Sequence, residues 1–143
     1  ISVMKVYLIL LVILCMGLPH LYAQKPLSEL SEKERDEILV DIAQTALKEN
    51  YPKWYRKNIR PVIEQRIFKK VEDQKEGPLA LPDYVKNGDV FYMVYLYYDK
   101  WREEKFEYEY TARVLVVDKT REALSLHLGG CNLIYSLLKK KKK

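Results

Sequence analysis

Few side chains in this sequence have the type and spacing to do chemistry. His127 and Cys131 stand four apart across Gly129-Gly130, the one place where an imidazole and a thiol are close in sequence. A nucleophilic cysteine needs a stabilised thiolate and a third group that orients the base. No such group accompanies the pair, so no catalytic residue is assigned. Glu107 and Glu109 would share one face of a strand about 7 Å apart. Paired carboxylates divide acid and base roles only where burial separates their pKa values. Their alternation with Phe106, Tyr108 and Tyr110 puts them on a wet face instead, with Arg66 or Arg113 available as cross-strand partners. His127 falls on the polar phase of its own strand and reads as exposed. Metal sites need three or four soft or carboxylate ligands. The sequence holds two histidines and two cysteines, and one of each lies in the first 23 residues. No metal and no cofactor are expected.

The aromatic residues are the richer signal. Phe91, Tyr92, Tyr95, Tyr97, Tyr98, Trp101, Phe106, Tyr108 and Tyr110 crowd into one stretch of chain. Tyrosine and tryptophan offer large apolar area with a polar handle, which suits surfaces that hold a partner. Phe91, Tyr95, Tyr97, Trp101, Tyr108 and Tyr110 are therefore the expected binding surface, for a protein partner, a small apolar ligand or a second copy of the chain.

Positioning these residues requires a helix and a sheet. Ser31-Glu32-Lys33-Glu34 is a capping box, and Ile38, Leu39, Ile42, Ala43, Ala46 and Leu47 follow at helical spacing until Asn50-Tyr51-Pro52. This predicts one amphipathic helix of about 18 residues. Residues 62–71 read as an edge strand entered at Pro61, and 72–88 as a connection punctuated by Gly77-Pro78, Leu81-Pro82 and Asn87-Gly88. Residues 89–98 are aromatic and β-branched with almost no polar member, the pattern of a central strand covered on both faces. After a charged turn at 99–105, residues 106–116 alternate apolar and polar, which puts Tyr108, Tyr110, Ala112 and Val114 on the core phase. A fourth strand at 124–128, with Leu124 and Leu126 on the core phase, ends at Gly129-Gly130; residues 132–138 read as a short last strand or a tail that packs back. Short connections favour an antiparallel meander with the helix on one face. The expected fold is α+β, one long helix on a curved four-stranded antiparallel sheet.

The termini set the context. Met4-Lys5 precedes an apolar run from Val6 to Leu18, then Pro19-His20 and Leu21-Tyr22-Ala23. A basic start, a short apolar stretch and a small-residue exit form the secretory pattern, and the run is shorter than the roughly 20 residues needed to span a bilayer. Residues 4–23 are thus read as a signal peptide cut after Ala23, with 1–3 upstream of the start. Cys15 follows Leu14, not the small residue a lipidated cysteine requires. The expected destination is secreted or periplasmic, with membrane contact only during export. The expected domain is 24–138, followed by the lysine tail 139–143. The chain carries net +5, with 25 basic side chains; without Lys5 and the five of the tail, 19 remain against 20 acidic ones. A near-neutral body argues against nucleic acid, which needs clustered Lys and Arg. Cys131, alone after cleavage, excludes an intrachain disulfide scaffold.

One helix followed by an antiparallel meander over residues 31–130 resembles the cystatin-like and NTF2-like α+β group, including small exported bacterial members, some of them immunity proteins. The resemblance lies in element order, in Ala43 and Ala46 on the helix, in Tyr51-Pro52 at its end and in Gly129-Gly130. Cystatins block papain-type proteases with a Gln-x-Val-x-Gly loop and a Pro-Trp pair. Here the matching places hold Pro61-Val62-Ile63-Glu64-Gln65 and Lys100-Trp101, so that inhibition is not implied. The reading is an exported, non-enzymatic binding module that works through the aromatic face or its loops. The alternatives are an NTF2-like enzyme or ligand pocket between helix and sheet, and an inhibitor or immunity protein acting through loops 77–88 or 99–105. A deep pocket lined by two buried carboxylates or by His127 would favour the enzyme. A filled interior with an aromatic outer face would favour the binding module.

Overall fold

The structure is a computed structural model and describes residues 24–138; the expected signal segment and lysine tail lie outside them. Among the described residues, one helix packs on an antiparallel five-stranded sheet. The helix is α1 (Glu32–Asn50), and the strands are β1 (Arg60–Ile67), β2 (Val90–Tyr97), β3 (Tyr110–Val117), β4 (Ala123–Leu128) and β5 (Ile134–Ser136). Their order in the sheet is β1-β2-β3-β4-β5, so each pairs with its neighbour in sequence.

Helix α1 begins at the expected cap. Ser31 Oγ accepts a hydrogen bond from the Glu34 N–H at 3.3 Å, satisfying one of the amides a helix start leaves unpaired. It ends at Tyr51, whose φ of −139° leaves the helix while its N–H bonds the Leu47 carbonyl. Leu39, Ala43 and Leu47, four apart, are fully buried against Val94, Leu96, Val114 and Leu126 of the sheet. The segment before the helix is tied to the same layer. Leu27 is fully buried, and the Ser28 N–H and hydroxyl donate to the Asp118 carboxylate at 2.7 and 2.8 Å. The Tyr92 hydroxyl donates to the same carboxylate at 2.9 Å. Burial, and then this carboxylate, hold the Tyr92 phenol above its ordinary pKa, so it stays a donor.

The sheet departs from expectation in four ways. It has five strands, not four: residues 134–136 complete it by pairing with Ser125, Leu126 and His127. Strand β1 covers 60–67 instead of 62–71, because Lys70 turns left-handed (φ 55°) into a short 3-10 turn at Val71–Gln74. Strand β3 starts at Tyr110, and residues 106–109 form a connection, held by Tyr108 N–H on the Gly129 carbonyl at 2.8 Å. Glu107 and Glu109 are exposed on that connection and share no strand face.

The fourth departure is two register shifts. Tyr95 pairs with Arg113 but Tyr97 with Tyr110, so Thr111 and Ala112 stand opposite Leu96 alone. Likewise Leu115 pairs with Ser125 but Val116 with Ala123, which leaves Leu124 as the extra residue. A one-residue bulge flips every later side chain to the other face. Tyr110 and Leu124, expected beside Ala112 and Leu126, therefore lie on the face away from the helix. Gly129 permits the first bulge: its N–H bonds the Thr111 carbonyl at 2.8 Å, and a Cβ there would stand 1.7 Å from the Tyr110 carbonyl oxygen.

Candidate functional site

The face of the sheet away from α1 is laid down by register. Met93, Leu115, Ser125 and Ser136 form one row across β2 to β5, and Tyr95, Arg113, His127 and Ile134 the next. Alternation along each strand puts both rows on the same side.

One end of this face is covered by the connection between β1 and β2. Phe68 stacks on Phe91 with centroids 4.2 Å apart, and Leu81, Tyr84 and Val85 pack with Val117 and Leu124. Polar ties hold the cover: Asn87 Oδ1 accepts from Val71 N–H at 2.8 Å, and Lys119 Nζ reaches the Tyr84 carbonyl and Asp89 at 2.9 and 2.6 Å. Tyr84 also donates to the Glu122 carboxylate; burial and that neighbour push its phenol up to about 12.

Between this cover and the open end lies a cavity of about 400 Å³. Its walls are largely apolar, from Phe68, Phe91, Met93 and Leu115; Arg113, Ser125, His127 and Ser136, with Lys69 and Gln74, add the polar groups. Ile67, Leu79 and Ile134 also line it while 53, 42 and 43% exposed, three of the four most exposed large apolar side chains among the described residues. The volume falls in the range of small-molecule sites, which combine apolar walls with a few convergent polar groups.

His127 is only 6% exposed, contrary to its expected place on a wet face. The reason is β5, which pairs beyond β4 and sets Ile134 beside it. Its Nδ1 lies 2.9 Å from the Tyr110 hydroxyl, and Tyr108 meets the ring edge-on at 5.0 Å. Burial, then the Arg113 charge, lower its pKa, with Glu107 and a hydrogen bond to the Cys131 backbone opposing. Burial raises the Tyr110 phenol. The pair is neutral near pH 7, a hydrogen bond without a charge. Cys131 packs instead with the helix-side core beside Tyr135, its Sγ 3.9 Å from that hydroxyl. Thiol and imidazole thus serve opposite faces, and no dyad forms.

Arg113 sits opposite His127 in the β3–β4 ladder. It is half-buried, and its guanidinium lies over the Tyr95 ring at 6.0 Å. Among the described residues no carboxylate lies within ion-pair distance of it; Arg66, the other expected partner of the glutamates, pairs with Glu64.

The structure gathers four of the six expected surface residues. Tyr95 and Tyr97 stack at 5.9 Å, Tyr110 meets both edge-on, and Tyr108 stacks on Tyr110 at 5.3 Å. Phe91 lies on the same face but under the cover. Trp101 is elsewhere, on the connection between β2 and β3 with Arg102 over its ring at 4.9 Å. Arg113, Ser125 and Ser136 were not expected at a site, and His127 was expected at one only as a partner of Cys131 or as the mark of an enzyme pocket. The signal available for them was that the polar phases of three neighbouring strands fall on one face.

Compared with known proteins, the chain matches no family model, no curated sequence and no solved structure.

Proposed function

We propose that this chain is an exported, non-enzymatic binding module of cystatin-like or NTF2-like layout that holds a small ligand in the cavity on its far face. The observation that carries this reading is the cavity itself, largely apolar-walled, rimmed by exposed Ile67, Leu79 and Ile134, with Arg113 and His127 of its lining touching Tyr95 and Tyr110 of the tyrosine cluster. Large exposed apolar side chains gathered at one opening mark a surface that receives something. The reading shifts from the aromatic outer face alone to the hollow beside it. That hollow lies on the opposite side of the sheet from the packed layer of Leu39, Ala43 and Leu47. A second hollow of about 580 Å³ between α1 and β1 is rimmed by the exposed carboxylates of Glu32, Glu37 and Asp41, an open groove lined mostly by charged side chains.

His127 lines the cavity, the feature that favours the enzyme alternative, although the cavity lies on the far face of the sheet and not between helix and sheet. No carboxylate lines it with His127 among the described residues, and the Nδ1 position is taken by a phenol kept neutral by burial. A general base needs a group that stabilises its charged form, and Arg113 does the reverse. An inhibitory or immunity role through residues 77–88 draws less support, since that segment is tied down over the sheet.

The test uses Nile red, a neutral apolar dye whose emission rises on burial. Wild-type protein should bind it, Leu115→Trp should abolish the rise by filling the cavity, and Leu133→Ser, outside the cavity lining, should leave it unchanged. A folded Leu115→Trp protein that binds like wild type would place the ligand elsewhere and overturn the proposal.

A further inference from the structure

We infer that the ligand is an apolar monocarboxylate whose head group meets Arg113, an inference that rests on the cavity being a ligand site. Arg113 is half-buried at the cavity wall, and the cavity carries a second cation, Lys69, and no carboxylate among its described lining. The two ion pairs nearest in the sheet, Arg66 with Glu64 and Arg60 with Asp99, use up the other arginines of that face. Of the arginines on that face, Arg113 keeps its five donors without a partner among the described residues, and a half-buried guanidinium favours a planar anion that accepts two of them.

The surrounding groups narrow the class. His127 is held neutral by burial and by Arg113 itself, and Lys69 is exposed, so Arg113 is the one half-buried cation of the lining. That matches a single carboxylate better than a phosphate dianion, which clusters of arginines or a helix N-terminus would serve. Ser125 and Ser136, paired across β4 and β5, face the same hollow and can donate to the second oxygen or to its water shell. The rest of the lining is mostly apolar, with Phe68, Phe91, Met93 and Leu115 offering room for an aliphatic or aryl chain and Lys69 and Gln74 the remaining polar members. The head group and the chain are thus read by opposite ends of one cavity.

Octanoate and octanol, equal in chain length and different in charge, are titrated as competitors of Nile red on the full chain. Wild type should prefer octanoate by about tenfold, the usual size of one charge-assisted hydrogen-bonded contact. Arg113→Gln should bring octanoate down to the affinity of octanol while octanol is unchanged. Arg113→Lys, which keeps the charge but not the planar fork, should retain part of the preference, and the unchanged octanol affinity of Arg113→Gln checks that its loss is not misfolding. Raising the salt concentration should weaken octanoate alone. Equal affinity of the two competitors in wild type, or an unchanged preference in Arg113→Gln, would overturn the carboxylate inference while leaving the site intact. Failure of both competitors to displace the dye, or displacement that survives Leu115→Trp, would overturn the site and the inference together.

Discussion

On the helix side of the sheet, the side chains that β2 contributes are closed off: Tyr92, Val94 and Leu96 are all at 0% exposure. On the other side of the same strand, Phe91, Met93, Tyr95 and Tyr97 are only half-buried. The difference follows from what covers each side. A 19-residue helix repeats its apolar stripe every turn and lies across several strands at once. The connection between β1 and β2 has one short 3-10 turn and is held largely by polar ties, so it seals only the end at Phe68, Val85 and Leu124. A face closed by a regular element is a core, and a face closed by an irregular one keeps a hollow at its margin.

Neighbouring positions on β2 give the largest test of this contrast. Leu96→Ala removes a fully buried side chain and should cost about 3–4 kcal/mol, whereas Met93→Ala at the cavity should cost about 1 kcal/mol. Urea unfolding of the two variants measures both. Equal losses would mean that the far face is as tightly packed as the helix side.

Next in size is Gly129→Ala, where a Cβ would meet the Tyr110 carbonyl at 1.7 Å. The backbone must move, at about 2 kcal/mol. The bulge that turns Tyr110 to the far face should loosen with it, so the tyrosine ring contacts seen by NMR should change together with stability. A loss of stability with unchanged Tyr110 shifts would detach the glycine from the bulge.

The smallest effect is one of pH. The His127 pKa is lowered from 6.5 by burial and by Arg113, with Tyr108 and Tyr110 around the ring and Glu107 opposing. The unfolded chain therefore binds more protons than the folded one as pH falls below about 6.5, and stability declines through that window toward the folded pKa. Above it, this group contributes no slope. His127→Gln should flatten the decline below about pH 6.5 relative to wild type in thermal melts. An identical slope in the variant would show that His127 titrates as if exposed.

Much of the architecture was legible along the chain. The cap at Ser31, the four-residue spacing of Leu39, Ala43 and Leu47, and the stop at Tyr51-Pro52 locate α1, because helix signals are local and repeat every turn. The strand at 90–97 was equally plain from its composition. Strand ends were less so: β1 stopped early at a left-handed Lys70, and 132–138 could be read as a short strand or a packed tail until pairing of 134–136 decided for the strand.

What the residues determined by themselves was the period of each element, and hence which side chains must travel together. Which face those side chains reached was decided by tertiary structure. Tyr110 and Leu124 carry the right period for the helix side and lie on the other, since a bulge in a partner ladder adds one residue without leaving a mark in the alternation. His127 carries the period of a wet face and is buried, since β5 and the tyrosines close around it. The cavity takes Leu124 from one of those displacements, whereas Arg113 keeps the polar phase its alternation gives it. Side-chain period is a property of one strand, whereas register is a property of two.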